Sequence, residues 1–172
     1  MNKISTLLTF ALLIVLFSAC SKKDDLDEWR ELNKKAYEEI KNKQDYKALE
    51  TKTGPTGVYY KVINSGTGTE YPIHTSRVKI RYKGSFYNGY VFDVGTGGNG
   101  IPKELDIQNT VRGFSFALQN MVVGDKWEIW IPYYLGYGID GLYDNYSYQP
   151  IIKGYTTLVF EVELLGITQY PK

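Results

Sequence analysis

The spacing of apolar positions changes character three times along the chain. From Leu7 to Phe17 the residues are almost all apolar, and Ser18 and Ala19 close that run with small side chains. Leu26, Trp29, Leu32, Ala36, Tyr37 and Ile40 then recur at helical spacing among Glu and Lys, which predicts an amphipathic helix. Thr53-Gly54-Pro55-Thr56-Gly57 is dense turn punctuation, predicted to end the helical segment and to start the folded domain near Gly57. Beyond it the period drops to two. Val58, Tyr60 and Val62 alternate; Val78, Ile80 and Tyr82 alternate with Arg77, Lys79 and Arg81, and Tyr82 is predicted to point inward. An Asn88-Gly89 turn leads to a strand through Val91, Phe92 and Asp93. Val111, Phe114, Leu118, Met121 and Val122 share one side of a short helix predicted to close at Gly124. Trp127, Ile129 and Ile131, and then Leu158, Phe160, Val162 and Leu164, mark the inward faces of two further strands. The expected architecture is α+β: an antiparallel sheet wrapped on one short helix, preceded by a signal peptide and an N-terminal helical spacer.

The N-terminal run has a positive start at Lys3 and is shorter than the ~20 residues that span a bilayer, so it reads as a signal peptide over residues 1–19. Cys20 is the only cysteine, and Leu16-Phe17-Ser18-Ala19 in front of it resembles the lipobox at which bacteria attach lipid to a thiol. A thiol committed to lipid leaves none for a disulfide, a zinc site or a nucleophile. Ser21-Lys22-Lys23-Asp24-Asp25 resembles the short charged tag that directs some lipoproteins to the outer face of the outer membrane. Residues 20–56 are expected to form the lipidated anchor, charged linker and amphipathic helix, and residues 57–172 the domain. The helix fits a spacer, a flap on the domain or a dimer seam; its few apolar positions argue against a long coiled coil and favour the spacer. The expected location is the cell envelope, lipid-anchored at the outer membrane on its periplasmic or surface face.

A formal net charge of +1 over 172 residues offers no basic stripe for nucleic acid, so that partner is not expected. Tyrosine is the unusual feature: of 16, seven crowd between Tyr133 and Tyr155, a composition suited to strands and recognition surfaces. Acid-base chemistry has little to work with. His74 is the single histidine and sits in a loop-like stretch, so no catalytic triad can be assembled. Gly95-Thr96-Gly97-Gly98-Asn99-Gly100 matches a dinucleotide fingerprint by letters, but Pro102 follows and no helix opens from it. Neither cofactor nor metal is expected.

Arg81-Tyr82-Lys83-Gly84, Val91-Phe92-Asp93, Val111-Arg112-Gly113-Phe114, Leu118 through Met121 to Gly124, Ile131-Pro132 with Leu135-Gly136-Tyr137-Gly138, and Thr157 to Leu164 occur in one order and at one spacing. That series resembles the FKBP family of peptidyl-prolyl cis-trans isomerases, from Gly57 to about Gly166. The resemblance implies that Tyr82, Phe92, Asp93, Val111, Tyr137 and Phe160 line a proline-binding cavity, with Phe114 as its floor and Ile152 as a wall. By pattern alone, Tyr82, Phe92 and Phe160 read as plain core packing, and it is the ordered series that assigns them to the cavity. Asp93 follows a core-facing position, and a buried carboxylate there needs a partner, for which the Tyr82 hydroxyl is the candidate.

The family's implied activity is rotation about X-Pro bonds in exported proteins, achieved by binding alone. Implied partners are proline-containing peptides or unfolded exported proteins, macrolide-type ligands, and the membrane through lipid on Cys20. Four departures stand out: Phe114 where the family usually has tryptophan, Pro102 to Ile107 without the usual aromatics, a longer, tyrosine-rich loop after Tyr137, and Lys153-Gly154 where two prolines are common. They leave open a second reading, a non-catalytic binding lipoprotein that uses the Tyr133 to Tyr155 loop for peptide or glycan.

Overall fold

The computed structural model describes residues 25–95 and 101–169. The signal segment, Cys20, residues 21–24 of the charged tag and residues 96–100 of the glycine-rich loop fall outside them. Helix α1 covers residues 25–41. It is followed by strands β1 (Lys47–Thr51), β2 (Gly54–Asn64), β3 (Arg77–Phe86), β4 (Val91–Asp93) and β5 (Lys103–Asp106), then helix α2 (Arg112–Leu118) and β6 (Lys126–Ile131). Two short strands, β7 (Leu142–Tyr143) and β8 (Pro150–Ile152), precede the long β9 (Leu158–Gln169).

The alternation read from the sequence becomes the inner face of one antiparallel sheet ordered β1-β2-β6-β9-β3-β4, with β5 also paired to β3. Val78 and Ile80 of β3, Ile129 and Ile131 of β6, and Leu158, Val162 and Leu164 of β9 are fully buried, while Arg77, Lys79 and Arg81 face water. α2 lies across this face, burying Phe114, Ala117 and Leu118. It approaches β6 so closely at Gly113 that a β-carbon there would collide with the Ile131 side chain. The Asn88-Gly89 turn forms as expected: Gly89 takes a φ of +85°, and Phe86 donates its N–H to the Tyr90 carbonyl at 2.9 Å.

Four expectations are corrected. The sheet begins upstream of Gly57, because β1 pairs with β2 and the Thr53 to Gly57 punctuation turns that hairpin instead of ending a helix. β1 escaped notice because only Leu49 of its five residues is buried, too few to show a period. Val62 is exposed, since β2 runs past the core near its end. Gly124, at φ +94°, sits in a tight turn into β6 and not at the end of α2; Asp125 closes that turn by accepting the Val122 N–H at 2.8 Å.

The fourth correction concerns α1, which lies against the domain and does not stand clear of it. Asn33, almost fully buried, accepts the Thr157 N–H at 2.8 Å and donates to the Trp29 carbonyl. Trp29 donates its indole N–H to Thr156 at 2.9 Å and sets its ring edge-on to Phe86, with centroids 5.6 Å apart. Lys153 and Asp25 form an ion pair at 2.8 Å. Of the three roles open to this helix, the packed flap is the one the contacts describe.

Candidate functional site

Three strands meet at Gly84. In β3 it stands opposite Asp93 of β4 on one side and Phe160 of β9 on the other. A side chain here would occupy the space of two rings, since a β-carbon would stand 2.7 Å from Cζ of Phe92 and 2.8 Å from Cε1 of Phe160. Glycine lets both rings lean over the strand. Tyr82, two residues earlier, faces the same side, as strand periodicity requires.

Above these strands the residue before α2 takes extended geometry at Val111, and the first turn of the helix carries Phe114 down to the rings of the sheet. Phe114 and Phe160 meet edge to face with centroids 4.8 Å apart. Tyr82 lies 6.1 Å from Phe114 and 6.2 Å from Phe160, and Phe92 meets Phe160 nearly perpendicularly at 5.7 Å. Edge-to-face contacts of this kind favour a fixed arrangement of rings over a fluid cluster. The result is a cavity of about 440 Å3, within the ~300 to 1,000 Å3 typical of ligand sites.

Polar groups are few and sit at the rim. The Tyr82 hydroxyl donates to Oδ2 of Asp93 at 2.7 Å, and Gly95 donates its N–H to Oδ1 at 2.9 Å. The expected tyrosine partner is therefore present, but the carboxylate is exposed and not buried. Burial pushes the Tyr82 hydroxyl above the ordinary tyrosine value, and the Asp93 carboxylate it bonds adds to the effect. Burial likewise raises Tyr137, with a smaller contribution from Asp93. The Tyr137 hydroxyl has no hydrogen-bond partner among the described residues. It is a neutral donor at the cavity, uncommitted among the described residues.

Of the residues expected to form the site, Tyr82, Phe92, Asp93, Val111, Phe114, Tyr137 and Phe160 all line this cavity. Ile152 is not among its lining; it is buried in the core on β8, opposite Leu142 of β7. The cavity also has a wall that the pattern did not single out, made by Lys103, Leu105 and Asp106 of β5 with Asn109 and Thr110. Lys103 places Nζ 5.8 Å from the centre of the Tyr82 ring and 3.5 Å from its hydroxyl. Antiparallel pairing of β5 with Arg77 to Ile80 of β3 puts this wall in place. Four residues in one strand carry too little periodicity to reveal it, and only the aromatics it lacks relative to the family mark the segment in the sequence. A larger cavity of about 570 Å3 lies between α1 and the domain and contains none of these residues.

Residues 68–165 match the family model for FKBP-type peptidyl-prolyl cis-trans isomerase. Among similar proteins, the FKBP-type 22 kDa peptidyl-prolyl cis-trans isomerase of Escherichia coli is 40% identical over 65% of this chain and 50% of its own length. The outer membrane protein MIP of Legionella longbeachae is 35% identical over 80% of this chain and 58% of its own. The chain thus spans little more than half the length of these relatives. A solved structure of a peptidyl-prolyl cis-trans isomerase from Pseudomonas syringae pv. tomato superposes with a TM-score of 0.69 at 30% identity, covering 83% of this chain and 96% of that one. FkpA from Escherichia coli superposes with a TM-score of 0.70 at 26% identity, covering 99% of this chain and 75% of that one. The match takes in the strands and the helix that build the ring-lined cavity, and on that ground the chain belongs to the FKBP-type peptidyl-prolyl cis-trans isomerase family.

Proposed function

We propose that the chain is a peptidyl-prolyl cis-trans isomerase of the cell envelope that acts on proline-containing segments of exported proteins. The observation that carries this reading is the cavity itself: two crossed phenyl rings, Phe114 and Phe160, lining one concavity with a Tyr137 hydroxyl that has no hydrogen-bond partner among the described residues. Rotation about an X-Pro bond needs no proton transfer or covalent step, so a site without a nucleophile or base is adequate. The barrier is resonance, ~18 to 20 kcal/mol, which makes the uncatalysed flip take tens to hundreds of seconds. A twisted amide has lost that resonance and part of its polarity. It therefore loses less than the planar ground state on leaving water, and an apolar cavity favours it. Each ~1.4 kcal/mol of such preference is tenfold in rate.

In this reading the proline ring packs against Phe114, Phe160 and Val111. The Tyr137 hydroxyl donates to a substrate carbonyl, and Tyr82 with Asp93 holds the rim. A substrate contact from the Ile152 backbone rests on the family resemblance alone. Lys103 and Leu105 stand on the side where the family has aromatics, and the Lys103 ammonium favours substrates with an acidic residue near the proline. Macrolide-type ligands of the family would compete for the same space.

The envelope assignment draws on the Cys20 context and on a relative named as an outer membrane protein. Lipid on Cys20 would tether the domain to the outer membrane, with exported chains as its clients. A Cys20→Ser variant should leave the membrane fraction; one that remains there removes the lipid-anchor reading. The activity is tested by following cis-to-trans conversion of short X-Pro peptides with the folded chain. Acceleration abolished by a macrolide competitor supports the isomerase. Folded protein with no rate above the spontaneous one points to a binding lipoprotein.

A further inference from the structure

The larger cavity, about 570 Å3, shares no residue with the proline cavity. It opens where α1 crosses the start of β2 and the Tyr133–Leu135 turn. Arg30, Lys34, Tyr37 and Lys41 fall at positions i, i+4, i+7 and i+11 of α1, so one face of the helix forms its wall. Lys41 is paired with Glu38 at 2.8 Å. Arg30 and Lys34 have no carboxylate partner among the described residues, although like charges four apart weaken a helix by a few tenths of a kcal/mol. Both line the cavity together with Tyr59, Tyr133 and Tyr155, with Arg30 over the Tyr155 ring, and the one carboxylate in the lining, Glu38, is the one paired with Lys41.

Tyr155 anchors that wall. It is one of two described non-glycine residues at positive φ, +61°, a conformation that costs a residue with a β-carbon about 1 to 2 kcal/mol. The Gly138 carbonyl accepts its N–H at 3.0 Å and holds it there. The strained backbone presents the ring beneath the Arg30 guanidinium, 4.8 Å from the centroid, and 5.3 Å from the Tyr133 ring. The hydroxyls of Tyr59, Tyr133 and Tyr155 have no hydrogen-bond partner among the described residues. Two unpaired cations, apolar ring faces and free hydroxyls therefore converge on one concavity.

We propose that this cavity binds an acidic saccharide, with its carboxylate on Arg30 and Lys34 and its ring against Tyr155 and Tyr133. A planar guanidinium matches the two oxygens of a carboxylate. A sugar ring offers an apolar C–H face to a tyrosine and a rim of hydroxyls to phenolic oxygens. A flat nucleobase fits less well, because the rings cross at steep angles, 56° for Tyr133 with Tyr155 and 87° for Tyr133 with Tyr134, and leave no parallel slot. An added peptide strand is disfavoured as well: β2, the strand lining the cavity, is already paired on both sides by β1 and β6. The site is independent of the isomerase activity.

The test is calorimetric titration of the detergent-solubilised full chain with short oligosaccharides of glucuronate or galacturonate. Neutral glucose and galactose oligosaccharides and oligoglutamate serve as comparisons. Uronate oligosaccharides should bind at least tenfold more tightly than either comparison. Arg30→Gln with Lys34→Gln should abolish that preference. Tyr155→Asn, in which asparagine tolerates the left-handed backbone, should weaken uronate binding at least tenfold in a protein that stays folded. X-Pro turnover should be unchanged in both variants. Equal affinity for oligoglutamate, equal affinity for neutral sugars, no uronate binding, or binding that survives the charge or ring variants each overturns the proposal.

Discussion

The Tyr82 hydroxyl donates a 2.7 Å hydrogen bond to Oδ2 of Asp93, tying β3 to the last residue of β4 at the ring-lined cavity. The acceptor is exposed, so the bond adds little to stability, while it fixes the direction of the ring that forms one cavity wall. Tyr82→Phe should therefore cost less than about 1 kcal/mol in denaturant unfolding. It should lower kcat/KM on X-Pro peptides severalfold. Asp93→Asn keeps an acceptor oxygen and should do less harm than Tyr82→Phe; the reverse ranking would show that the negative charge, and not the bond, is what the site uses.

Tyr137 provides a cleaner test of catalysis than Phe160. Phe160 is 7% exposed and belongs to the core cluster, so Phe160→Ala should lose about 3 to 5 kcal/mol and confuse activity with folding. The Tyr137 hydroxyl bonds nothing among the described residues. Tyr137→Phe should consequently leave stability within about 0.5 kcal/mol. A fall in kcat with KM little changed would place its hydrogen bond in the twisted state, and a rise in KM alone would place it in ground-state binding.

Tyr37, Tyr46 and Tyr82 all have hydroxyls pushed above the ordinary tyrosine value, burial being the largest cause in each. Hydrogen bonds and nearby charge add to it: Tyr134 for Tyr37, Glu128 for Tyr46 and Asp93 for Tyr82. A group with a raised folded value holds its proton longer in the native state than in the unfolded one. Its contribution is complete below the unfolded value of ~10 and is lost as pH rises beyond it. Unfolding free energy should thus be flat through neutral pH and fall above pH ~10. Denaturant titrations across that range should show a shallower alkaline loss in Tyr37→Phe than in the parent chain.

The inward faces of β3, β6 and β9 were legible because each alternates over at least six residues, enough to separate a core side from a wet one. The ring-lined cavity was legible at Tyr82, Phe92, Val111, Phe114, Tyr137 and Phe160 through the order of short segments, whereas periodicity at Tyr82, Phe92 and Phe160 favoured plain core. The docking of α1 was legible in part. Of its apolar stripe, Trp29, Ala36 and Tyr37 are half-buried and Ile40 is 2% exposed, while Leu26 and Leu32 remain 37% and 40% exposed. The polar contacts that fix the helix, through Asn33, the Trp29 indole N–H and the Lys153–Asp25 ion pair, leave no mark in hydrophobic spacing, which therefore does not tell a flap from a spacer. The Lys103 wall was legible only through the resemblance, as the segment Pro102 to Ile107 that lacks the family's aromatics; its pairing with β3 is a long-range relation that four mixed residues do not advertise.

Asn33 makes the most consequential of those polar contacts. Its side chain is buried and accepts the Thr157 N–H immediately before β9. Asn33→Ala would leave that N–H without a partner in a dry environment, at a cost of about 1 to 3 kcal/mol. Loss of amide protection at Thr157 in hydrogen exchange should accompany the drop. An exposed α1 residue such as Glu31, changed to Gln, should leave stability within about 0.5 kcal/mol.

Gly84 is where the fold and the proposed activity constrain the same atom. Its strand neighbours are Asp93 and Phe160, and its missing side chain is the space into which Phe92 and Phe160 lean. In Gly84→Ala the new methyl would begin 2.7 Å from one ring and 2.8 Å from the other, closer than carbon atoms pack, so at least one ring must move. Overpacking of this size costs about 1 to 3 kcal/mol. Both rings line the proline cavity, so their displacement should also raise KM for X-Pro peptides. Gly68→Ala supplies the control: its β-carbon would stand 2.7 Å from the Val123 backbone nitrogen, a comparable overpacking in a loop that contributes no residue to the cavity. KM should rise in the first variant and stay near the parent value in the second. Equal effects on KM would mean that global loosening, and not the placement of Phe92 and Phe160, sets affinity for the proline ring.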